Sequence, residues 1–208
     1  MNYNPFTRPV RYAVLVGGLD TEQKLGVEGT IHDLAKEFQK RGFRIALVTN
    51  AIAGQLERVL TEVETLCQRA ERLPKVIFYY CGHHGEPGFQ LVDGIYKRDE
   101  LFYRLKQIRG ERLGIFDCCH AGIMNRFAGN STTILAASNE DDLAYACTNK
   151  NGNKRLILGE EIIEFMQGNP EKFSLGRLFK EIEKDLQNNG WQVPELRGDR
   201  AFQIPGKC

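Results

Sequence analysis

The chain has 208 residues, a length that suits a single domain. Apolar residues make up 42% of it, which is enough for a sizeable core and too many for a disordered chain. The 28 basic and 27 acidic residues nearly cancel, so the charge balance points to neither a nucleic-acid nor a membrane-surface partner.

Apolar strands alternate with amphipathic helices along most of the chain. Short apolar runs indicate buried strands, apolar residues at helical spacing indicate helices, and an Asp-Gly pair indicates a tight hairpin. In chain order, the predicted elements are strand 12–16, helix 27–40, strand 43–49, helix 52–72, strand 76–81, hairpin 89–97, a helix capped by Asp99 and ending at Ile108, strands 113–116 and 133–137, helices 158–166 and 175–187, and a last strand 201–204.

Residues with reactive side chains follow two of the predicted strands. Strand 76–81 runs into Cys-Gly-His-His-Gly at 81–85, and strand 113–116 runs into Asp-Cys-Cys-His-Ala-Gly at 117–122. Alternating strands and helices predict a mostly parallel sheet with helices on both faces, and sites in such sheets form at the carboxyl ends of the strands. We therefore expect a histidine and a cysteine from these two segments to meet.

A cysteine beside a histidine is equipped for nucleophilic chemistry. A thiol is a weak nucleophile until a base takes its proton, and an adjacent imidazole is such a base. Glycines in the same turns let the backbone approach a substrate closely. The amide N–H groups of Gly85 and of the turn after Cys119 are candidate donors to an oxyanion.

The chain shows no signal for export or for membrane insertion. Residues 1–6 lack the basic and then apolar pattern of a secretory signal, and no apolar run approaches the ~20 residues of a membrane span. The six cysteines lack the density and spacing of a disulfide framework. We therefore expect a cytoplasmic protein with free thiols.

The two motifs resemble those of the caspase, metacaspase, legumain, gingipain and separase clan of cysteine peptidases. In that clan one apolar strand ends in His-Gly and a second ends in Ala-Cys or Asp-x-Cys. Residues 117–122 look like the metacaspase form, Asp-Ser-Cys-His-Ser-Gly. Carried over, Cys119 takes the place of the nucleophile, and Cys118 takes the place usually held by serine or another small residue.

The resemblance extends over nearly the whole chain and implies a fold. It implies an α/β three-layer sandwich, with a mostly parallel central sheet of about six strands between helices. Residues 1–208 would form one peptidase domain. Within it, residues 1–138 resemble a large subunit, residues 139–156 a connecting loop, and residues 157–208 a small subunit.

The general base is ambiguous, because the clan has one histidine between two glycines and this chain has two. Counting from the strand favours His83, whereas counting back from Gly85 favours His84. Adjacent side chains in extended backbone point in opposite directions, so only one of them can face Cys119. We favour His84, because the glycine after it allows a tight turn.

The resemblance also implies where a substrate would bind. Metacaspase-like members place acidic side chains around the first specificity pocket, and the matching residues are Asp33 and Asp117. Carboxylates favour a Lys or Arg side chain, and no arginine is evident at the matching positions. Ser138 is a third candidate for the pocket. Residues 140–142 are acidic, but they do not alternate as calcium loops require.

The sequence thus predicts a cysteine endopeptidase with a Cys-His dyad, no cofactor, a protein or peptide substrate and no nucleic-acid or membrane partner. A sensor or adaptor protein is a further expected partner. An inactive caspase-like interaction module is the alternative. A zinc site is a weaker one, because adjacent residues on rigid strand ends cannot all converge and no Cys-x-x-Cys spacing exists. Its potential ligands would be Cys81, His83, His84, Cys118, Cys119 and His120.

Overall fold

A six-stranded sheet runs through the middle of the computed structural model, which describes residues 10–20, 26–129 and 131–208. In spatial order its strands are β2 (Arg44–Val48), β1 (Arg11–Gly17), β3 (Lys75–Cys81), β6 (Glu111–Asp117), β7 (Thr132–Ala136) and β11 (Glu195–Arg197). Neighbouring strands are parallel except for β11, which pairs antiparallel with β7. The predicted sheet of about six mostly parallel strands is confirmed.

Helices cover both faces of this sheet. They are α1 (Val27–Lys40), α2 (Ala53–Gln68), α3 (Arg98–Gln107), α4 (Ile157–Gly168) and α5 (Leu175–Asn188), and a 3-10 helix spans Ala121–Phe127. Side chains alternate along each strand, so β3 sends Tyr79 into the core under α1, α4 and α5, and Tyr80 into the core under α2 and α3. None of the helices in the described parts of the chain is long and apolar enough to cross a bilayer.

Three small antiparallel pairs lie outside the central sheet. They are β4 (Gly88–Leu91) with β5 (Gly94–Lys97), β8 (Ala146–Thr148) with β9 (Lys154–Leu156), and β10 (Phe173–Ser174) with β12 (Gln203–Ile204). The first of these is the predicted Asp-Gly hairpin. The second lies inside the segment 139–156, which is therefore not loop throughout. The division of the chain into subunit-like parts stays a prediction.

The structure corrects two details of the predicted elements. Of the predicted last strand, 201–204, only Gln203–Ile204 forms a strand, and it pairs with β10 outside the central sheet. The sixth strand is β11, whose single buried residue, Leu196, leaves little apolar pattern to detect. Helix α3 begins at Arg98 after Lys97, so Asp99 lies in the first turn, where its charge suits the helix dipole, and does not cap the helix.

Candidate active site

The carboxyl ends of β3 and β6 lie side by side. The two strands are parallel neighbours with Tyr80 opposite Phe116 and Cys81 opposite Asp117. The chain that leaves each strand therefore starts from the same edge of the sheet. Residues 82–85 and 118–122 meet there, as the motifs predict.

His84 contacts the main chain of Cys119. Its Nδ1 lies 2.9 Å from the carbonyl oxygen of Cys119, and its ring packs on Phe89 with the ring centroids 5.1 Å apart. A carbonyl oxygen only accepts hydrogen bonds, so Nδ1 carries the proton and Nε2 keeps its lone pair. His84 is 8% exposed, and burial lowers its pKa to about 4 although the bond to Cys119 acts in the opposite direction. The imidazole is therefore neutral at physiological pH.

The Nε2 atom of His84 is buried and has no hydrogen-bond partner among the described residues. The half-buried Cys119 thiol lies instead 4.0 Å from the carbonyl oxygen of Ala144. The imidazole thus contacts the main chain of Cys119, and it makes no hydrogen bond to the Cys119 thiol. Catalytic hydrogen bonds are often long or absent before substrate binds.

The neighbouring residues of each motif occupy different surroundings. The carbonyl oxygen of His83 accepts hydrogen bonds from the Tyr80 hydroxyl at 2.6 Å and from the Gln90 amide at 3.0 Å, which fixes the main chain just before His84. Cys118 is buried in the core under α2 and α3, and burial raises the pKa of its thiol well above the ordinary value. A buried thiol of this kind is unreactive.

Gly85 does not offer a free amide in this structure. Its N–H donates to the carbonyl oxygen of Gly88 at 3.1 Å, within the turn that leads into β4. The same turn is anchored by Arg98, which is 7% exposed and binds both carboxylate oxygens of Glu86, at 2.6 and 2.7 Å. The expected oxyanion donor at Gly85 is therefore already engaged, because the hairpin uses this amide for its own closure.

Asp117, the last residue of β6, is fully buried directly before the turn 118–122. One carboxylate oxygen accepts hydrogen bonds from the Tyr79 hydroxyl at 2.8 Å and from the Gly159 amide at 2.7 Å. The other oxygen, Oδ1, is buried without a partner among the described residues. Burial raises the pKa of Asp117 to about 7, even though these two hydrogen bonds act to lower it. A buried oxygen without a partner calls for a proton or for a donor from a ligand.

Asp33 has two cationic partners. On α1 its carboxylate accepts hydrogen bonds from Lys36 at 2.7 Å and from Arg155 at 2.6 Å. Partial burial alone would raise the pKa of Asp33, but these two cations outweigh it and lower the pKa. Arg155 thus lies beside Asp33, although it is not at one of the positions that the family resemblance matched. Arg155 stands in a polar stretch of sequence that gives no sign of its burial, which comes from the pairing of β8 and β9.

Ser138 holds two loops together and presents no free hydroxyl to a pocket. Its hydroxyl donates to the carbonyl oxygen of Asp142 at 3.2 Å and accepts from the Ala121 amide at 3.3 Å, and the residue is completely buried. The expected place of Ser138 in the substrate pocket does not match these contacts. Its role here is to join the end of β7 to the turn that follows Cys119.

The segment 139–145 contacts the turn 118–122, which contains Cys119. The amide of His120 donates to Asp142 at 2.8 Å, and its Nδ1 lies 3.0 Å from the carbonyl oxygen of Glu140. A Cβ atom on Gly122 would lie 2.5 Å from the backbone of Asn139, so only glycine allows this close approach. The acidic side chains 140–142 are exposed, and the described residues contain no group of three His, Cys, Asp or Glu arranged for a metal ion.

Comparison with known proteins identifies the architecture. No family model matches the chain, and no curated protein matches it. Among solved structures, caspase-1 from Spodoptera frugiperda superimposes with a TM-score of 0.71 over 96% of this chain and 90% of that chain, at 12% sequence identity. The chain has a caspase-like fold. At this identity the likeness shows the fold alone, and a caspase-like fold is a scaffold on which cysteine proteases are built.

The two buried titratable groups of this caspase-like site should affect stability with opposite pH dependence. His84 gains a proton near 6.5 in the unfolded chain but only near 4 when folded, so stability falls as pH drops through this range. Asp117 loses its proton near 3.8 when unfolded and near 7 when folded, so stability falls as pH rises through that range. Each effect is on the order of 3 kcal/mol.

Urea unfolding of the wild type, Asp117→Asn and His84→Asn between pH 4 and 7 would measure both effects. Relative to the wild type, we expect Asp117→Asn to gain stability as the pH rises and His84→Asn to lose it. Glu161, whose pKa burial raises to about 7, is present in all three proteins and cancels in the differences. Stability curves that run parallel across this pH range would contradict the prediction.

Proposed function

We propose that this protein is a cysteine endopeptidase in which Cys119 is the nucleophile and His84 is the general base. The observation that supports it most is the placement of a neutral imidazole, with Nε2 unpaired, against the main chain of a half-buried cysteine at the ends of two parallel strands. The caspase-like fold adds to this, since it is a cysteine-protease scaffold. The substrates of such an enzyme would be protein or peptide chains.

The geometry supports a specific order of proton transfers. The resting pair is a neutral thiol and a neutral imidazole, because burial holds the pKa of His84 near 4. With substrate bound, the Cys119 thiol turns from the Ala144 carbonyl and gives its proton to Nε2, while the sulfur attacks the scissile carbonyl carbon. The imidazolium then protonates the leaving amine, and water hydrolyses the thioester. The amide N–H of Cys119, at the start of the turn, would be a donor to the oxyanion.

We further propose that the peptidase cleaves after Lys or Arg. Asp117 Oδ1 is a buried acceptor without a partner, and a substrate ammonium or guanidinium would supply the missing donor. Asp33 is a second carboxylate on the adjoining helix, paired with Lys36 and Arg155 in the free protein. The motif Asp-Cys-Cys-His-Ala-Gly and these carboxylates are also what favour a metacaspase-like protein over other members of the clan.

Substitution of each of the two adjacent cysteines by alanine tests the assignment of the nucleophile. Cys119→Ala should reduce kcat by about 10³-fold or more, because no other group can form the acyl intermediate. Cys118→Ala is the matched control: it should cost about 1 kcal/mol of stability, from the small cavity that it leaves, and retain most activity. The readout is hydrolysis of a peptide library, with the thermal midpoint of each variant measured beside it. An active Cys119→Ala would reject the assignment.

The two adjacent histidines provide a second matched pair. His84→Ala should lower kcat on the order of 10²–10⁴-fold, the usual contribution of a positioned base. His83→Ala should change kcat far less, since the contact with Cys119 belongs to His84. Alkylation of Cys119 by iodoacetamide gives a second readout, and its rate should fall in His84→Ala. If His83→Ala lost more activity than His84→Ala, His83 would be the base instead.

Matched peptides that differ in one residue test the substrate class. Peptides with Arg before the scissile bond should be cleaved at least about tenfold faster than those with citrulline, which has the same shape without the charge. Peptides with Asp there should be inert. Asp117→Asn should reduce the preference for Arg over citrulline. Efficient cleavage after Asp, with Arg ignored, would overturn the proposed specificity.

A further inference from the structure

Arg155 lies in the middle of β9, close to the proposed site. Its partner across the hairpin is Cys147 of β8, and β8 follows directly from Ala144 and Tyr145, where the Ala144 carbonyl is the contact of the Cys119 thiol. From β9 the Arg155 side chain runs over helix α1. A Cβ atom on Gly29 would lie 2.3 Å from its Nη1, so the absence of a side chain at Gly29 leaves the space that the guanidinium fills.

The Arg155 guanidinium is placed between two carboxylates. Its Nη2 donates to Asp33 at 2.6 Å, and its Nε lies 3.8 Å from Glu160. The side chain is 11% exposed, and Nε is buried without a hydrogen-bond partner among the described residues. These are the surroundings that a substrate arginine would need: two acidic groups in a partly buried slot.

Asp33 and Asp117 are connected through the packing of α1 against α4. Thr30, one turn before Asp33 on α1, accepts a hydrogen bond from the Leu156 amide at 3.2 Å. A Cβ atom on Gly159 would lie 2.3 Å from the Thr30 side chain, and the Gly159 amide is bonded to Asp117. The contact of Thr30 with Gly159 thus joins the helix that carries Asp33 to the helix that holds the fully buried Asp117, and a basic side chain that approaches Asp33 comes close to the cation of Arg155.

We infer that Arg155 is a specificity-determining residue, a cation of the chain itself that competes with the basic side chain of a substrate for Asp33. The inference rests on the proposed cleavage after Lys or Arg. With Arg155 in place, Asp33 is already neutralised, and an incoming cation meets a like charge. Basic substrates therefore bind more weakly than they would if Asp33 lacked this partner. The short hairpin of β8 and β9 carries this competitor.

Substitution of Arg155 separates competition from a purely structural role. Arg155→Gln removes the charge but keeps a donor for Asp33, and it should lower KM for an Arg peptide by about tenfold, roughly the contribution of one partly buried ion pair. The kcat and the KM for the citrulline peptide should not change. Lys36→Met is the matched control: it removes the other cation of Asp33, whose side chain is 66% exposed, and should change KM little. Equal KM values for wild type and Arg155→Gln, or equal losses on both peptides, would overturn the inference.

A binding measurement keeps the inference testable if the proposed function fails. Agmatine, which carries the arginine guanidinium, can be titrated by calorimetry into Cys119→Ala and into Cys119→Ala with Arg155→Gln. Tighter binding to the second protein supports competition even if no peptide is cleaved, whereas equal binding rejects it. Asp33→Asn should abolish the gain. If Arg155→Gln does not fold, Arg155→Lys replaces it: its single-point contact competes less well, so agmatine should bind more tightly than to the Arg155 protein, and no change rejects the inference.

Discussion

The register of two parallel strands is the constraint on which the whole site depends. With Cys81 opposite Asp117, the turns after β3 and β6 start level with each other, and His84 reaches the carbonyl oxygen of Cys119. A slip of one residue would exchange the faces of the sheet, since side chains alternate along a strand. The Asp117 side chain would then leave the core under α4, and its contacts with Tyr79 and Gly159 would be lost.

Burial controls the charge of this site more strongly than ion pairing does. His84 and Asp117 are both driven toward their neutral forms, the first below its ordinary pKa and the second above it. A site with an unpaired imidazole nitrogen and one unpaired oxygen on a buried carboxyl group costs stability in the free protein. Both unpaired atoms are acceptors, so in the proposed reaction a substrate cation would donate to Asp117 Oδ1 and the Cys119 thiol would donate to His84 Nε2.

Much of the fold could be predicted from sequence, because the strands of the central sheet are apolar runs and α1, α4 and α5 show clear helical spacing. The meeting of His84 and Cys119 followed from the rule that sites form at the ends of parallel strands. Contacts made between distant segments could not be predicted. The pairing of β11, the hydrogen bond of the Gly85 amide and the burial of Arg155 depend on partners elsewhere in the chain, and no local pattern encodes them.

The same distinction separates the two carboxylates expected to bind substrate. Asp117 is held by β6 itself and by the start of α4, so its position is a property of the core. Asp33 lies on a solvent-facing part of α1, and its partner Arg155 comes from a three-residue strand outside the central sheet. The position of Asp117 is therefore fixed by the core, whereas the charge of Asp33 is balanced by Lys36 on the same helix and by Arg155 of the β8–β9 hairpin.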